Sequence, residues 1–240
     1  MSKLIAVCGS PESGKTTLGL KLAQELYFTK KTSVLFLSVD LNVPIMGYIF
    51  PHCKASDLYS IGKTLDKTDI YREDVMKQIV TVKTMMNFGF LGFKAGENKY
   101  TYPRPTEDKV LDLFRCMSDI AEYIVIDCVS DNDDLISSIA IREADKVILA
   151  VTPDLKCMTY YGSNGDAFLG CADKSEYVMN IMDNDLFLPI EEVKSHFKKI
   201  EYVLPYSHAL KQQTITGTLS ERLTDRKYRE VISNLARAVI

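Results

Sequence analysis

Gly9-Ser10-Pro11-Glu12-Ser13-Gly14-Lys15-Thr16-Thr17 follows the short apolar run Leu4-Ile5-Ala6-Val7-Cys8 and leads into a helical pattern over residues 18–27. An apolar strand, a glycine-bounded loop ending in Gly-Lys-Thr and then a helix form the signature of a phosphate-binding loop. Each residue type has a physical reason. Gly9 and Gly14 let the backbone turn back and bring its N–H groups close to phosphate oxygens. The helix that begins near Lys15 aims its positive dipole end and its unpaired N–H groups at the same point. Lys15 is expected to reach the terminal phosphates, and Thr16 to offer its hydroxyl to a magnesium ion. An ordinary strand-to-helix turn leaves a lysine at the helix start, beside two glycines, without explanation.

Outward from the loop, apolar runs alternate with helical patterns. Residues 33–39 are almost continuously apolar and end at Asp40, and Tyr123-Ile124-Val125-Ile126 ends at Asp127. Runs of this kind are strands buried on both faces of a parallel sheet. Further strands are expected at 87–93, 146–151, 176–181 and 200–204, with helices at 15–28, 106–122, 135–143, 156–169, 190–198 and 225–239. Residues 55–62 suggest a short helix, and 70–82 carry mixed signals. Thr106 is placed to cap its helix. Phe88, Phe90 and Phe93 read as strand core rather than as base-stacking surface. The stripe Tyr228, Val231, Ile232, Leu235 and Val239 could touch a membrane, but packing on the sheet is the default. The acidic run Asp131-Asn132-Asp133-Asp134 reads as a solvated loop favouring the next helix start, not as a metal site. The pattern predicts one α/β domain over residues 1–240. Its doubly wound, mostly parallel sheet has about seven strands flanked by helices, with ligands beyond the strands' carboxyl ends.

Composition narrows the function classes. The chain has 240 residues, 46% of them apolar and 25% charged, with a net charge of −3. No basic tract marks a nucleic-acid surface, so DNA binding is disfavoured. No apolar run approaches the roughly 20 residues that cross a bilayer, and no signal-peptide pattern opens the chain, which therefore reads as cytoplasmic. The six cysteines form no CxxC pair, which argues against both zinc and a disulfide framework.

In a doubly wound sheet the ends of the first two strands and of the strand closing at Asp127 lie close together. That gathers Lys15, Thr16, Asp40 and Asp127 around one pocket. A triphosphate needs cationic donors and its magnesium needs oxygen ligands, so Thr16, Asp40 and Asp127 are the candidate Mg2+ ligands.

With these segments in place, the chain resembles the ParA/MinD-type P-loop ATPases, and within them the CpaE/TadZ-like branch. The resemblance runs from Lys3 to about Leu219. It rests on the loop, on Val34-Leu35-Phe36-Leu37-Ser38-Val39-Asp40-Leu41-Asn42, on the run to Asp127, and on Ala144-Asp145-Lys146-Val147-Ile148-Leu149-Ala150-Val151-Thr152-Pro153-Asp154. Tyr202-Val203-Leu204-Pro205-Tyr206-Ser207 looks like the family's Leu-Pro-Tyr segment beside adenine. The resemblance implies ATP and Mg2+ as cofactors, with Asn180 near the base edge and Pro205 and Tyr206 close by. It also implies an ATP-dependent homodimer, and a partner belonging to a positioning, secretion or conjugation apparatus.

Three departures qualify the resemblance. The family's signature lysine falls at Ser10, which cannot supply its charge. The second aspartate of the family's Asp-x-Asp is Asn42, which can hold a water but cannot take its proton. Cys128-Val129-Ser130-Asp131 replaces prolines and a glycine that sense the terminal phosphate in relatives. With Lys15, Asp40 and Asn42 as the catalytic set, the expectation is a nucleotide-gated scaffold or positioning factor with weak or absent hydrolysis. The alternative is a P-loop small-molecule kinase or other ATP-dependent enzyme, which would need an acceptor pocket near Asp40.

Overall fold

Consecutive apolar residues along a strand need cover on both faces, and the sheet's two layers supply it. The computed structural model describes residues 2–183, 190–197 and 199–240. Its strands are β1 (Lys3–Gly9), β2 (Val34–Ser38), β3 (Val80–Val82), β4 (Met85–Leu91), β5 (Tyr123–Asp127), β6 (Lys146–Val151), β7 (Ser175–Asn180) and β8 (Ile200–Leu204). Its helices are α1 (Lys15–Lys30), α2 (Met46–Ile49), α3 (Gly62–Leu65), α4 (Arg72–Met76), α5 (Glu107–Ser118), α6 (Leu135–Glu143), α7 (Leu155–Asn164), α8 (Ile190–His196), α9 (His208–Thr216) and α10 (Arg226–Ala238). The strands form one sheet in the order β3-β4-β2-β5-β1-β6-β7-β8. β3 alone runs antiparallel to its neighbour.

Alternate residues of each strand face opposite layers. Leu4, Ala6 and Cys8 of β1, with Leu35 and Leu37 of β2, join the core that holds Leu113 of α5 and Ile139 of α6. Ile5, Val7, Val34 and Phe36 point the other way, onto Leu22 and Leu26 of α1 and Leu235 of α10. Phe88 and Phe90 are fully buried, and Phe93 nearly so, as strand core requires. The α10 stripe lies on this second layer, with Tyr228, Ile232, Leu235 and Val239 buried. No helix among the described residues is long and apolar enough to cross a membrane.

Several local expectations change. The sheet has eight strands rather than about seven, because the stretch 70–82 resolves into α4 and the short edge strand β3. Three residues with an exposed centre, Thr81, leave no periodic trace, and a short edge strand limits pairing with other chains. Residues 55–62 hold a single 3-10 turn, Ala55–Asp57, with α3 beginning only at Gly62. The 156–169 helix breaks at Asn164 and continues as a 3-10 segment, Gly165–Lys174. Thr106 occupies the N-cap of α5 without a side-chain capping bond, while Glu107 and Asp108 supply the negative charge of the first turn. In the 190–198 expectation, residue 198 lies outside the described residues. α9 was not anticipated; nearly all its residues are exposed or half-buried, so no apolar stripe announces it.

One buried cation fastens α1 to the chain ahead of α10. The Lys21 ammonium donates to Gln24 Oε1 at 3.1 Å and to the carbonyls of Leu219 and Glu221, both at 2.8 Å. Burial pushes its pKa down to about 7, against the opposing pull of Glu221. The unfolded chain therefore holds a proton that the folded chain lacks between about pH 7 and the ordinary lysine value near 10.4. Stability should rise with pH across that window, by up to about 1.4 kcal/mol per unit. Denaturant melts of wild type and Lys21→Met at pH 7.0 and 9.0 should show a rise that the variant flattens; equal slopes would remove Lys21 as its source.

Candidate nucleotide site

β1 delivers the chain to the loop at Gly9, and the left-handed backbone of Glu12 (φ 63°) and Gly14 (φ 80°) folds the loop over the start of α1. A side chain at Gly14 would put its Cβ 2.4 Å from Asn180 Nδ2, so only glycine fits this crossing. The Ser10 carbonyl accepts from Ser13 N–H at 3.3 Å, Ser13 Oγ at 2.8 Å and Lys15 Nζ at 3.1 Å. Lys15 thus lies back across its own loop. Its ammonium also donates to Ser130 Oγ at 2.6 Å, and that hydroxyl donates to the Gly9 carbonyl at 2.8 Å. Burial lowers the pKa of Lys15, while Asp127 and Asp40 oppose the shift by favouring its charge.

Asp127 closes β5 beside the loop. Its Oδ2 accepts from Thr16 Oγ1 at 2.8 Å and from Ser38 Oγ at 3.0 Å. Its Oδ1 is buried and has no hydrogen-bond partner among the described residues. Burial raises the carboxyl's pKa to about 6, against the lowering effects of Thr16, Lys15 and Ser38. An orphaned carboxylate oxygen of this kind is open to an ordered water or a bound ion. Thr16, Asp127 and the nearby Asp40 form an oxygen-only donor set, which fits a hard divalent cation such as Mg2+. No group of three or more acidic, histidine or cysteine side chains is placed to hold a metal ion among the described residues. A nucleotide-bound Mg2+ needs none, since phosphates and water complete its shell.

Asp40 is committed differently from the other two. Its Oδ1 accepts from the backbone N–H groups of Asn42 at 2.8 Å and Val43 at 3.0 Å, an Asx-type turn that shapes the chain just past β2. It acts on Lys15 and Asp127 through its charge. Asn42 is exposed and lines a separate, larger cavity.

On the opposite flank, Gly14, Thr17, Asn180, Met182, Pro205 and Tyr206 line a pocket of about 120 Å³. Asn180 donates to the Ser13 carbonyl and to Met182 Sδ, both at 3.0 Å, so its amide protons brace the loop. At the loop's tip Pro11 and Glu12 are exposed, and Glu12 makes a short ion pair with Lys156 of α7 that holds its carboxyl below the usual range. Ser10 is buried instead, its hydroxyl unpartnered among the described residues, with the Cys157 thiol alongside.

The structure therefore brings Lys15, Thr16, Asp127 and Asp40 together at the carboxyl ends of the strands, and sets Asn180, Pro205 and Tyr206 on one flank. Sequence reasoning passed over Ser38, Lys156 and Met182, and read Ser130 only as part of the departing segment 128–131. Ser38 could have been found from register, because β2 and β5 run parallel and pair Ser38 with Asp127. Ser130 had only its place three residues past Asp127 as a signal.

This loop lies at the end of β1, which sits between β5 and β6 near the sheet's centre, and the fold is shared with solved structures. The fold is that of the ParA and MinD ATPases. A ParA family ATPase from Chlorobium tepidum TLS superposes with a TM-score of 0.77 at 14% identity, over 98% of each chain. The septum site-determining protein MinD of Pyrococcus horikoshii OT3, complexed with Mg-ADP, gives 0.77 at 18% identity, over 100% of this chain and 96% of that one. A putative plasmid partition protein from Borrelia burgdorferi B31, bound to AMPPNP, gives 0.72 at 15% identity over the full length of both chains. No family model and no curated protein matches the chain. At these identities the likeness establishes architecture, while chemistry rests on the residues themselves.

Proposed function

We propose that the chain binds Mg-ATP at the loop of residues 9–17 and acts as a nucleotide-gated scaffold or positioning factor, hydrolysing ATP slowly or not at all. The observation that carries this reading is the cluster of Lys15 on Ser130 and Thr16 on Asp127, with an orphaned carboxylate oxygen beside it. Lys15 would leave Ser10 and Ser130 for the terminal phosphates. Thr16, Asp127 and Asp40 would hold Mg2+, whose charge offsets that of the phosphates. The orientation of the base falls to Asn180, Pro205 and Tyr206. Releasing Ser130 frees the segment after β5, and the same change reaches the Asp40 turn, so the terminal phosphate resets two loops on the face presented to a partner. An ATP-dependent homodimer and placement in the CpaE/TadZ-like branch belong to the same proposal, the latter through Ser10 at the signature-lysine position.

Slow turnover follows from chemistry at two positions. Ser10 carries no charge, and Asn42 has no carboxylate to orient an attacking water. Light scattering without nucleotide, with ADP and with ATP, alongside phosphate release, tests the reading. Dimers with ATP and little release are expected; a monomer in all three states would end the gating proposal. Asn42→Asp should raise phosphate release by up to about 10²-fold. No gain would locate the defect at Ser10 or at residues 128–131.

A second reading, an ATP-dependent enzyme acting on a small molecule, is favoured by one observation: the cavity that Asn42 lines. ADP release that depends on an added small molecule would mark it.

A further inference from the structure

The cavity beside Asn42 has a volume of about 480 Å³, within the range of small-molecule sites. Its apolar wall includes Val39, Leu65, Phe93 and Ile136, all buried in the core. Its rim carries charges of both signs, Lys99 and Arg104 from the segment between β4 and α5, and Asp131 and Asp133 from the loop between β5 and α6. The acidic loop is partly occupied with its own backbone. Asp131 Oδ1 accepts from Asp133 N–H at 3.0 Å, and Asp134 caps α6 by accepting from Ser137 N–H at 2.7 Å. The cationic rim is not. Arg104 makes no hydrogen bond or ion pair among the described residues, and Lys99 only lies over the Tyr100 ring, 5.2 Å from its centroid.

The wall that carries these cations is itself tied down. Glu97 accepts from the Tyr102 hydroxyl at 2.8 Å, from Ser60 Oγ at 2.6 Å and from Lys94 N–H at 2.8 Å. Tyr102 also packs directly on Gly62, where a Cβ would come within 2.2 Å of the ring. An unpaired guanidinium at the mouth of a shaped apolar cavity has five donors in a planar fork, which matches a carboxylate bidentately.

We infer that this cavity binds a small amphipathic carboxylate, its apolar body against Phe93, Leu65 and Ile136 and its carboxylate on Arg104. The ligand would lie close to the phosphate end of the loop, since Asn42 sits on the Asp40 turn and Val129 precedes the Ser130 that holds Lys15. Its coupling to nucleotide rests on the nucleotide reading above, and its binding does not.

The full ¹⁵N-labelled chain, titrated without nucleotide, separates the two. Sodium hexanoate should shift the amides of Leu65, Phe93, Tyr102 and Ile136 along one saturating isotherm, with Kd on the order of 1 mM. Hexylammonium, equal in length and opposite in charge, should bind about tenfold more weakly. Arg104→Gln, at an exposed position, should weaken hexanoate about tenfold and leave the remaining spectrum in place. Non-saturating shifts, equal binding of the two probes, or unchanged hexanoate affinity in Arg104→Gln would each overturn the inference. Once hexanoate saturates and calorimetry has shown Mg-ATP bound, repeating the titration with Mg-ATP tests the coupling: a changed Kd supports it and an unchanged Kd overturns it, while a failure of Mg-ATP to bind counts against the nucleotide reading and not against the cavity.

Discussion

Lys15→Ala is expected to weaken Mg-ATP binding by about 2–3 kcal/mol, roughly 30- to 150-fold, the worth of charge-assisted hydrogen bonds to phosphate. The substitution should leave the protein folded. In the nucleotide-free chain the ammonium donates to the Ser10 carbonyl and to Ser130 Oγ, and the Ser130 hydroxyl keeps its bond to the Gly9 carbonyl when the lysine is gone. Removing Lys15 also relieves the burial of a cation, which offsets part of its lost attraction to Asp127. Calorimetric titration with Mg-ATP, paired with a thermal melt, measures both effects. Wild-type affinity in a variant that melts normally would show that the loop does not hold the terminal phosphates. Lys15→Arg should not rescue binding, because a broad planar guanidinium does not reproduce the compact point charge of an ammonium at the terminal phosphates.

The loop and the doubly wound order were legible because the physics there is local. Leu4 to Cys8 must be covered on both faces, Gly9 and Gly14 must turn, and Lys15 must start a helix; each requirement shows in residue type and spacing. Asp127 was legible as a strand end, but its unpartnered oxygen was not, since that depends on Ser38 and Thr16 both reaching the other oxygen across the sheet. Ser130 was read only as part of the 128–131 departure from the family pattern, yet its hydroxyl is what Lys15 rests on. Long-range pairs of this kind leave no periodicity. The Glu12–Lys156 pair is another, joining the loop's tip to α7 across 144 positions of sequence. The 480 Å³ cavity was anticipated only as a requirement of the enzyme reading, because its walls come from the segment just past β2, α3, the 93–105 segment and the start of α6, which converge only in the folded chain.

The same loop carries a carboxylate at Glu12 and an uncharged serine at position 10, and both bear on the proposed phosphate site. A negative charge at Glu12 would oppose an incoming triphosphate, and the exposed ion pair with Lys156 offsets part of that charge. In the proposed site, what remains to hold phosphate would be the backbone of the loop, the start of α1 and Lys15. Loop shape therefore carries more of the burden than loop charge.

Gly14→Ala puts that dependence to its strongest test. At φ 80° the backbone is left-handed, and a Cβ would meet Asn180 Nδ2 at 2.4 Å and Met182 Sδ at 3.2 Å. A non-glycine residue held there costs about 1–3 kcal/mol. Displacing Asn180 breaks its bond to the Ser13 carbonyl, worth about 1 kcal/mol more. The sum, about 2–4 kcal/mol, should lower Tm by about 5–15 °C in a chain of this size. Mg-ATP affinity should fall further than in Lys15→Ala, because the backbone donors and the pocket beside Asn180 move together. Gly162→Ala is the control: its Cβ meets nothing within 4 Å in the interior of α7, so the change should be neutral or stabilising by about 0.5–1 kcal/mol. Adding Asn180→Ala to Gly14→Ala separates the two costs, since it removes the collision and leaves the strained φ. A double variant as stable as Asn180→Ala alone would mean that the collision, and not the left-handed backbone, is what reserves position 14 for glycine.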